Sequence, residues 1–164
     1  MLKKLLLMIG IILIPLAGLC PPTDDTHKSS ILFEAKKHIF YLTVFNEPFS
    51  PDLLRQAMYF EGIQAVEIAF KQAQLETGWF TSDLFINANN LFGMRYARVR
   101  DTYASGVYKY HAEYKTWISS VKDLALWQAW YASKGYDLTD YFAFLEEIGY
   151  ATDKKYIKKI KEIS

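Results

Sequence analysis

The chain of 164 residues holds one cysteine, Cys20, so no disulfide can close within it. Its three histidines, His27, His38 and His111, stand far apart, with no cysteine or carboxylate at ligand spacing, and neither a metal site nor a cofactor is expected. Charge of one sign is not in surplus. Against 18 Asp and Glu stand 19 Lys and Arg, a formal net charge of +1, without the concentrated basic surface that a nucleic-acid partner needs. The chain has no glycine loop of the phosphate-cradling kind and no Gly-flanked serine of the nucleophile-elbow kind, and a cysteine nucleophile finds no support in a lone Cys20. The apolar run from Leu5 to Ile14 is short for a membrane span.

What is present suits one globular domain, with 51% hydrophobic and 23% charged residues. Lys3 and Lys4, the apolar run, and then Pro15 to Cys20 have the charged start, apolar middle and small-residue end of a secretory signal over 1–20. Export to the periplasm or to a membrane surface is the expectation. Cys20 at the end of that leader suggests the lipid-modified cysteine of bacterial lipoproteins, although Leu19 stands where a small residue is usual. Ordinary cleavage near Ala17 to Leu19, or retention as an N-terminal anchor, are the alternatives. Residues 21–29, with Pro21 and Pro22, read as a tether, and the domain proper as 30–164.

Within that domain, periodicity predicts a helix from Ser30 to Asn46, and a second after Ser50 as N-cap with Pro51 at the first helical position. A third runs from Ile63 to Glu76, ended by Gly78. Glu76 thus falls in the last turn, on the same face as Ala65, Ala69 and Ala73, a strip of small residues against which another element can pack. Burial, the negative end of the helix and the apolar Trp79 and Phe80 after it all disfavour an ionised carboxylate, so Glu76 is expected to hold its proton towards neutral pH as a general acid does. Alternation of Tyr96, Arg98 and Arg100, and again over Val107 to His111, predicts a β-hairpin turning at Ala104-Ser105-Gly106. Ser120 and Asp123 have capping-box spacing for a helix ending near Gly135, and Thr139 and Thr152 are the N-caps expected for two more. The last is amphipathic, with Tyr156, Ile157, Ile160 and Ile163 inward and Lys154, Lys155, Lys158, Lys159 and Lys161 outward. Trp127, Trp130 and Phe142 are assigned to packing.

Gln74-Leu75-Glu76-Thr77-Gly78-Trp79, Ser82, Asn89-Asn90-Leu91-Phe92-Gly93-Met94-Arg95, then Tyr114, Trp117, Ser120, Asp123, and finally Gly149 to Asp153 with Tyr156, together resemble the bacterial glucosaminidases of glycoside hydrolase family 73. The resemblance covers roughly residues 56 to 161. It implies an α+β, mostly α, lysozyme-like fold with a catalytic helix and a small β-hairpin lobe. It also implies hydrolysis of the β-1,4 bond after N-acetylglucosamine in peptidoglycan, with Glu76 as the acid. Trp79, Asn90, Phe92, Arg95, Tyr110, Tyr114, Tyr150 and Tyr156, in or beside the matching segments, are the expected glycan contacts. A muramidase or lytic transglycosylase, or a glycan-binding module without activity, are the rival readings.

One departure concerns the second catalytic group. Many family members carry a Glu just before the hairpin turn, and aligning on Gly106 puts Thr102 there. Asp101 is adjacent but on the other face of a regular strand, and Glu113 lies past the hairpin. The preferred alternative uses the substrate's own 2-acetamido oxygen as nucleophile.

Overall fold

A computed structural model describes residues 24–44 and 47–164. The leader expected over 1–20, Cys20 included, lies outside them. Contacts divide the chain into two units, Met1–Thr43 and Val44–Ser164. The first is represented by α1 (Asp24–Val44), which begins inside the expected tether. Ile31, Leu32, Ile39 and Leu42 along it are exposed.

In that second unit, Ser50 caps α2 (Pro51–Phe60) by accepting from the Leu53 N–H at 3.2 Å, with Pro51 at the position where a missing N–H costs nothing. α3 (Val66–Glu76) starts three residues later than periodicity suggests because Ala65 takes a left-handed φ of 52°. α2 packs on α3 and α5 (Trp117–Ser133), and α3 also packs on α7 (Tyr156–Glu162). Leu54, Ala57 and Met58 of α2 and Ala69, Phe70 and Ala73 of α3 are buried in this core. Each large apolar side chain among them contributes about 1.5–3 kcal/mol.

α4 (Asp83–Ala88) is a helix that periodicity does not predict; it is only six residues long and is nucleated by Ser82, whose Oγ accepts from the Phe85 N–H. The hairpin exists but sits later than expected. β1 (Gly106–Tyr108) pairs antiparallel with β2 (His111–Glu113), and the chain reverses at Lys109 and Tyr110, both at positive φ. Residues 96–100, expected as a strand, run irregularly, because the Arg100 side chain is drawn away to the carboxylate of Asp123 on α5.

The cap of α5 is Thr116, not Ser120: the Thr116 Oγ1 accepts from the Ser119 N–H. Ser120 and Asp123 are fully buried inside the helix, Ser120 accepting from the Leu91 N–H at 3.1 Å. α6 (Tyr141–Glu147) is capped by Asp140 rather than Thr139, and α7 has no side-chain cap from Thr152. Tyr156 and Ile160 of α7 join Tyr141, Phe144 and Leu145 in a core cluster, while Lys154, Lys155, Lys158, Lys159 and Lys161 are exposed. Among the described residues no helix is long and apolar enough to cross a membrane.

Candidate active site

Glu76 is the last residue of α3. Thr77 closes the helix, its N–H on the Ala73 carbonyl at 3.0 Å and its Oγ1 accepting from the Phe80 N–H at 2.9 Å. Trp79 and Phe80 then adopt left-handed φ of 60° and 65°, which carries both rings away from the carboxyl. Phe80 packs among Phe49, Phe70 and Phe85, and Trp79 is 57% exposed outside the cleft. Trp79 and Phe80, expected to bring apolar surface to Glu76, do not line the cleft that holds it.

The apolar surface around Glu76 comes from other elements. The carboxyl lies in a cleft of about 900 Å³. Phe92 and Gly93, Tyr150 and Tyr156, Trp127 and Trp130 of α5, and Arg95 to Arg100 with His111 line it. Tyr156 donates its O–H to Glu76 Oε1 at 2.8 Å, and Tyr150 donates to the Phe92 carbonyl at 2.8 Å, with the two phenol rings 5.5 Å apart. Burial raises the Glu76 pKa above its usual 4.5, opposed by the Tyr156 hydrogen bond and by the charge of His111. Desolvation, then the Glu76 charge, push the Tyr156 phenol far up, so it stays a donor.

Gly93 fits its place on two counts. Its φ is +63°, and a Cβ there would stand 3.0 Å from Glu76 Oε2. With Oε1 occupied by the phenol, Oε2 is the oxygen left to carry a transferable proton, and Gly93 keeps space for it.

Of the expected glycan contacts, Phe92, Arg95, Tyr150 and Tyr156 line the cleft with Glu76. Asn90 and Tyr114 do not: both are buried and hold the scaffold. The Asn90 amide donates to the Met94 and Ala112 carbonyls, at 2.9 and 2.8 Å, which ties Met94 to the hairpin. Tyr114 donates to Asp123 Oδ2 at 2.9 Å. Asp123 also receives a two-pronged ion pair from Arg100, at 3.1 and 2.9 Å. Its burial works to raise its pKa, but Arg100 and the hydrogen bonds around it hold the carboxyl below its usual range. Tyr110 is 90% exposed at the hairpin turn and away from the cleft.

The second carboxylates stand apart too. Asp101 borders a separate hollow with Leu126 and Trp130, and Glu113 sits over Gly106 within the hairpin. Thr102 is turned to Asp123, so the position aligned with the family's hairpin Glu does not line the cleft. Asp153, the other carboxylate in the cleft, is tied to Lys159 at 2.7 Å and to the Lys155 N–H at 2.8 Å.

Trp127, Trp130, Tyr131 and His111 line the cleft without having been singled out for it. Trp127 packs on Phe144 and Tyr150 with one edge and faces the cleft with another, so its helical spacing signals only the core role. Phe142 remains a packing residue. Among the described residues no three His, Cys, Asp or Glu side chains gather as metal ligands would.

A helical body, a two-stranded lobe and a cleft with a half-buried carboxyl at a helix end define an α+β, mostly α, lysozyme-like fold. The family model for mannosyl-glycoprotein endo-beta-N-acetylglucosaminidase matches residues 52–164, and the chain belongs to this glucosaminidase family. That membership places it among peptidoglycan-related glycosidases. Neither the curated proteins nor the solved structures contain a match to the chain.

Proposed function

We propose that this protein hydrolyses the β-1,4 bond following N-acetylglucosamine in peptidoglycan glycan strands, with Glu76 as general acid. The observation that carries this reading is the Glu76 carboxyl: it lines the cleft, its pKa is raised by burial, and one oxygen is held by Tyr156 while the other is kept clear by Gly93. A carboxylic acid poised in this way can protonate a leaving glycosidic oxygen. Trp127, Trp130 and Tyr131 offer aromatic faces for sugar rings, and Arg95 and Arg98 offer donors for hydroxyl and carboxylate groups.

The nucleophile in this reading is the substrate's own acetamido oxygen. Asp153 lines the cleft in an ion pair with Lys159, and Asp101 and Glu113 do not line it, an arrangement that favours a route needing no second carboxylate. An oxygen already bonded into the sugar and close to the anomeric carbon gains a large effective concentration. Two inversions at that carbon then return the β configuration, which proton NMR of freshly released ends would register.

Digestion of purified peptidoglycan tests the whole reading. Wild type should release reducing-end N-acetylglucosamine, and Glu76→Gln, which keeps the size but not the proton, should cut turnover about a hundredfold or more. Asp101→Asn and Glu113→Gln should each cost about tenfold or less. Reducing-end muramic acid or an anhydro sugar would mean a muramidase or a lytic transglycosylase, and binding without cleavage a glycan-binding module. We further propose that the leader delivers this domain outside the cytoplasm, held at a membrane through Cys20. Loss of Cys20→Ser from the membrane fraction would support the lipid anchor, and its retention there would point to an uncleaved leader.

A further inference from the structure

Glu76 shares its cleft with a second proton-handling group that the reading above leaves without a task. His111 is the first residue of β2 and lines the same cleft as Tyr156. Its Nδ1 lies 3.0 Å from the Lys109 carbonyl oxygen. A carbonyl only accepts, so Nδ1 must carry a proton, and in the neutral ring Nε2 keeps its lone pair. Among the described residues Nε2 has no hydrogen-bond partner in the protein. The strand itself is held in place: the Ala112 N–H bonds the Met94 carbonyl at 2.8 Å, and Gly93, next to Met94, backs onto Glu76 Oε2. The hairpin is thus tied to the segment beside the acid, and the imidazole and the carboxyl line the same cleft.

We infer that His111 is a catalytic residue whose Nε2 accepts the N–H of the substrate's 2-acetamido group during cyclisation. This rests on the proposed acetamido route with Glu76 as acid. In the first step the C1–O glycosidic bond breaks and its oxygen takes the Glu76 proton, while the acetamido oxygen bonds to C1. Positive charge grows on the acetamido nitrogen, and its proton passes to His111 Nε2 to leave a neutral oxazoline. In the second step water adds to C1 and gives a proton to the Glu76 carboxylate, the ring C1–O bond opens, and the imidazolium returns its proton to the nitrogen. One water cleaves one glycosidic bond, and both side chains end as they began. The imidazole takes the place that a second carboxylate would otherwise fill.

Four proteins test this on purified peptidoglycan: wild type, Glu76→Gln, His111→Ala and His111→Asn, each checked for its thermal melt. His111→Ala should lower turnover by about a hundredfold, and added imidazole should restore part of that loss in His111→Ala but none in Glu76→Gln. Calorimetric affinity for N-acetylglucosamine thiazoline, a stable mimic of the cyclised intermediate, should fall by about tenfold or more in His111→Ala. Should His111→Ala fail to fold, His111→Asn, a smaller change at the hairpin, carries the same turnover and thiazoline comparisons. Turnover within about threefold of wild type in the histidine variant, or a loss with unchanged thiazoline affinity and no imidazole rescue, overturns the role of His111 alone. An inactive wild type, or an active Glu76→Gln, overturns the acid assignment and this inference with it.

Discussion

Replacing Gly93 by alanine adds one carbon at the position where the structure leaves least room for it. The new Cβ would stand 3.0 Å from Glu76 Oε2 and 3.6 Å from its carboxyl carbon, so the carboxyl must retreat by a few tenths of an ångström to restore ordinary contact. Since a misplacement of about 1 Å at a reacting group costs about a hundredfold, a retreat of this size should cost about tenfold in turnover. Alanine at φ +63° also carries backbone strain of about 1–2 kcal/mol, and this has to be separated from the effect on the acid. Gly62 supplies the control. Its φ is +69° and a Cβ there meets nothing within 4 Å, so Gly62→Ala carries the same strain without touching Glu76. Urea titration should show both variants losing similar stability, while reducing-end release from peptidoglycan falls only in Gly93→Ala. If Gly93→Ala cleaves within about twofold of Gly62→Ala, Oε2 does not need the space that Gly93 keeps, and the assignment of the transferable proton to that oxygen fails.

Tyr156→Phe removes the hydrogen bond that lowers the Glu76 pKa, so the alkaline limb of the pH–rate profile should move to higher pH, with turnover down about tenfold. Because burial raises the folded-state pKa of Glu76, its effect on stability is harmless below the usual 4.5 and grows as pH rises through the raised value. Glu76→Gln should accordingly melt above wild type at neutral pH, with the difference vanishing in acid; equal melts at neutral pH would argue against a buried, reluctant carboxylate. Asp123→Asn breaks a pair in which the Arg100 side chain is 7% exposed and Asp123 fully buried, leaving the guanidinium without its counter-charge. Urea unfolding should record a loss of about 3–5 kcal/mol.

What the sequence determined by itself is whatever depends on neighbours along the chain. Helical spacing with Ser50 and Pro51, the small strip of Ala69 and Ala73, and the glycine after Thr77 put Glu76 at a helix end with one face towards protein, because caps and periodicity act within a turn or two. The mostly helical content was legible in the same way, and the lysozyme-like fold was implied by the family resemblance that the order of motifs carries. Long-range contacts decided the rest. Ser120 has the capping-box spacing with Asp123, yet Thr116 caps α5, and Ser120 lies in the helix interior, where it accepts from the Leu91 N–H, 29 residues away in the chain. Residues 96–100 alternate as a strand should, yet the Arg100 ion pair with Asp123 outweighs a ladder that has no partner. The hairpin turn falls on Lys109 and Tyr110, two residues with no local preference for positive φ, and so moves His111 to the start of β2 and into the cleft. The environment of Glu76 is assembled from Gly93, His111, Tyr150 and Tyr156, which the chain brings together only by folding, since desolvation and hydrogen bonding follow distance in space and not along the sequence.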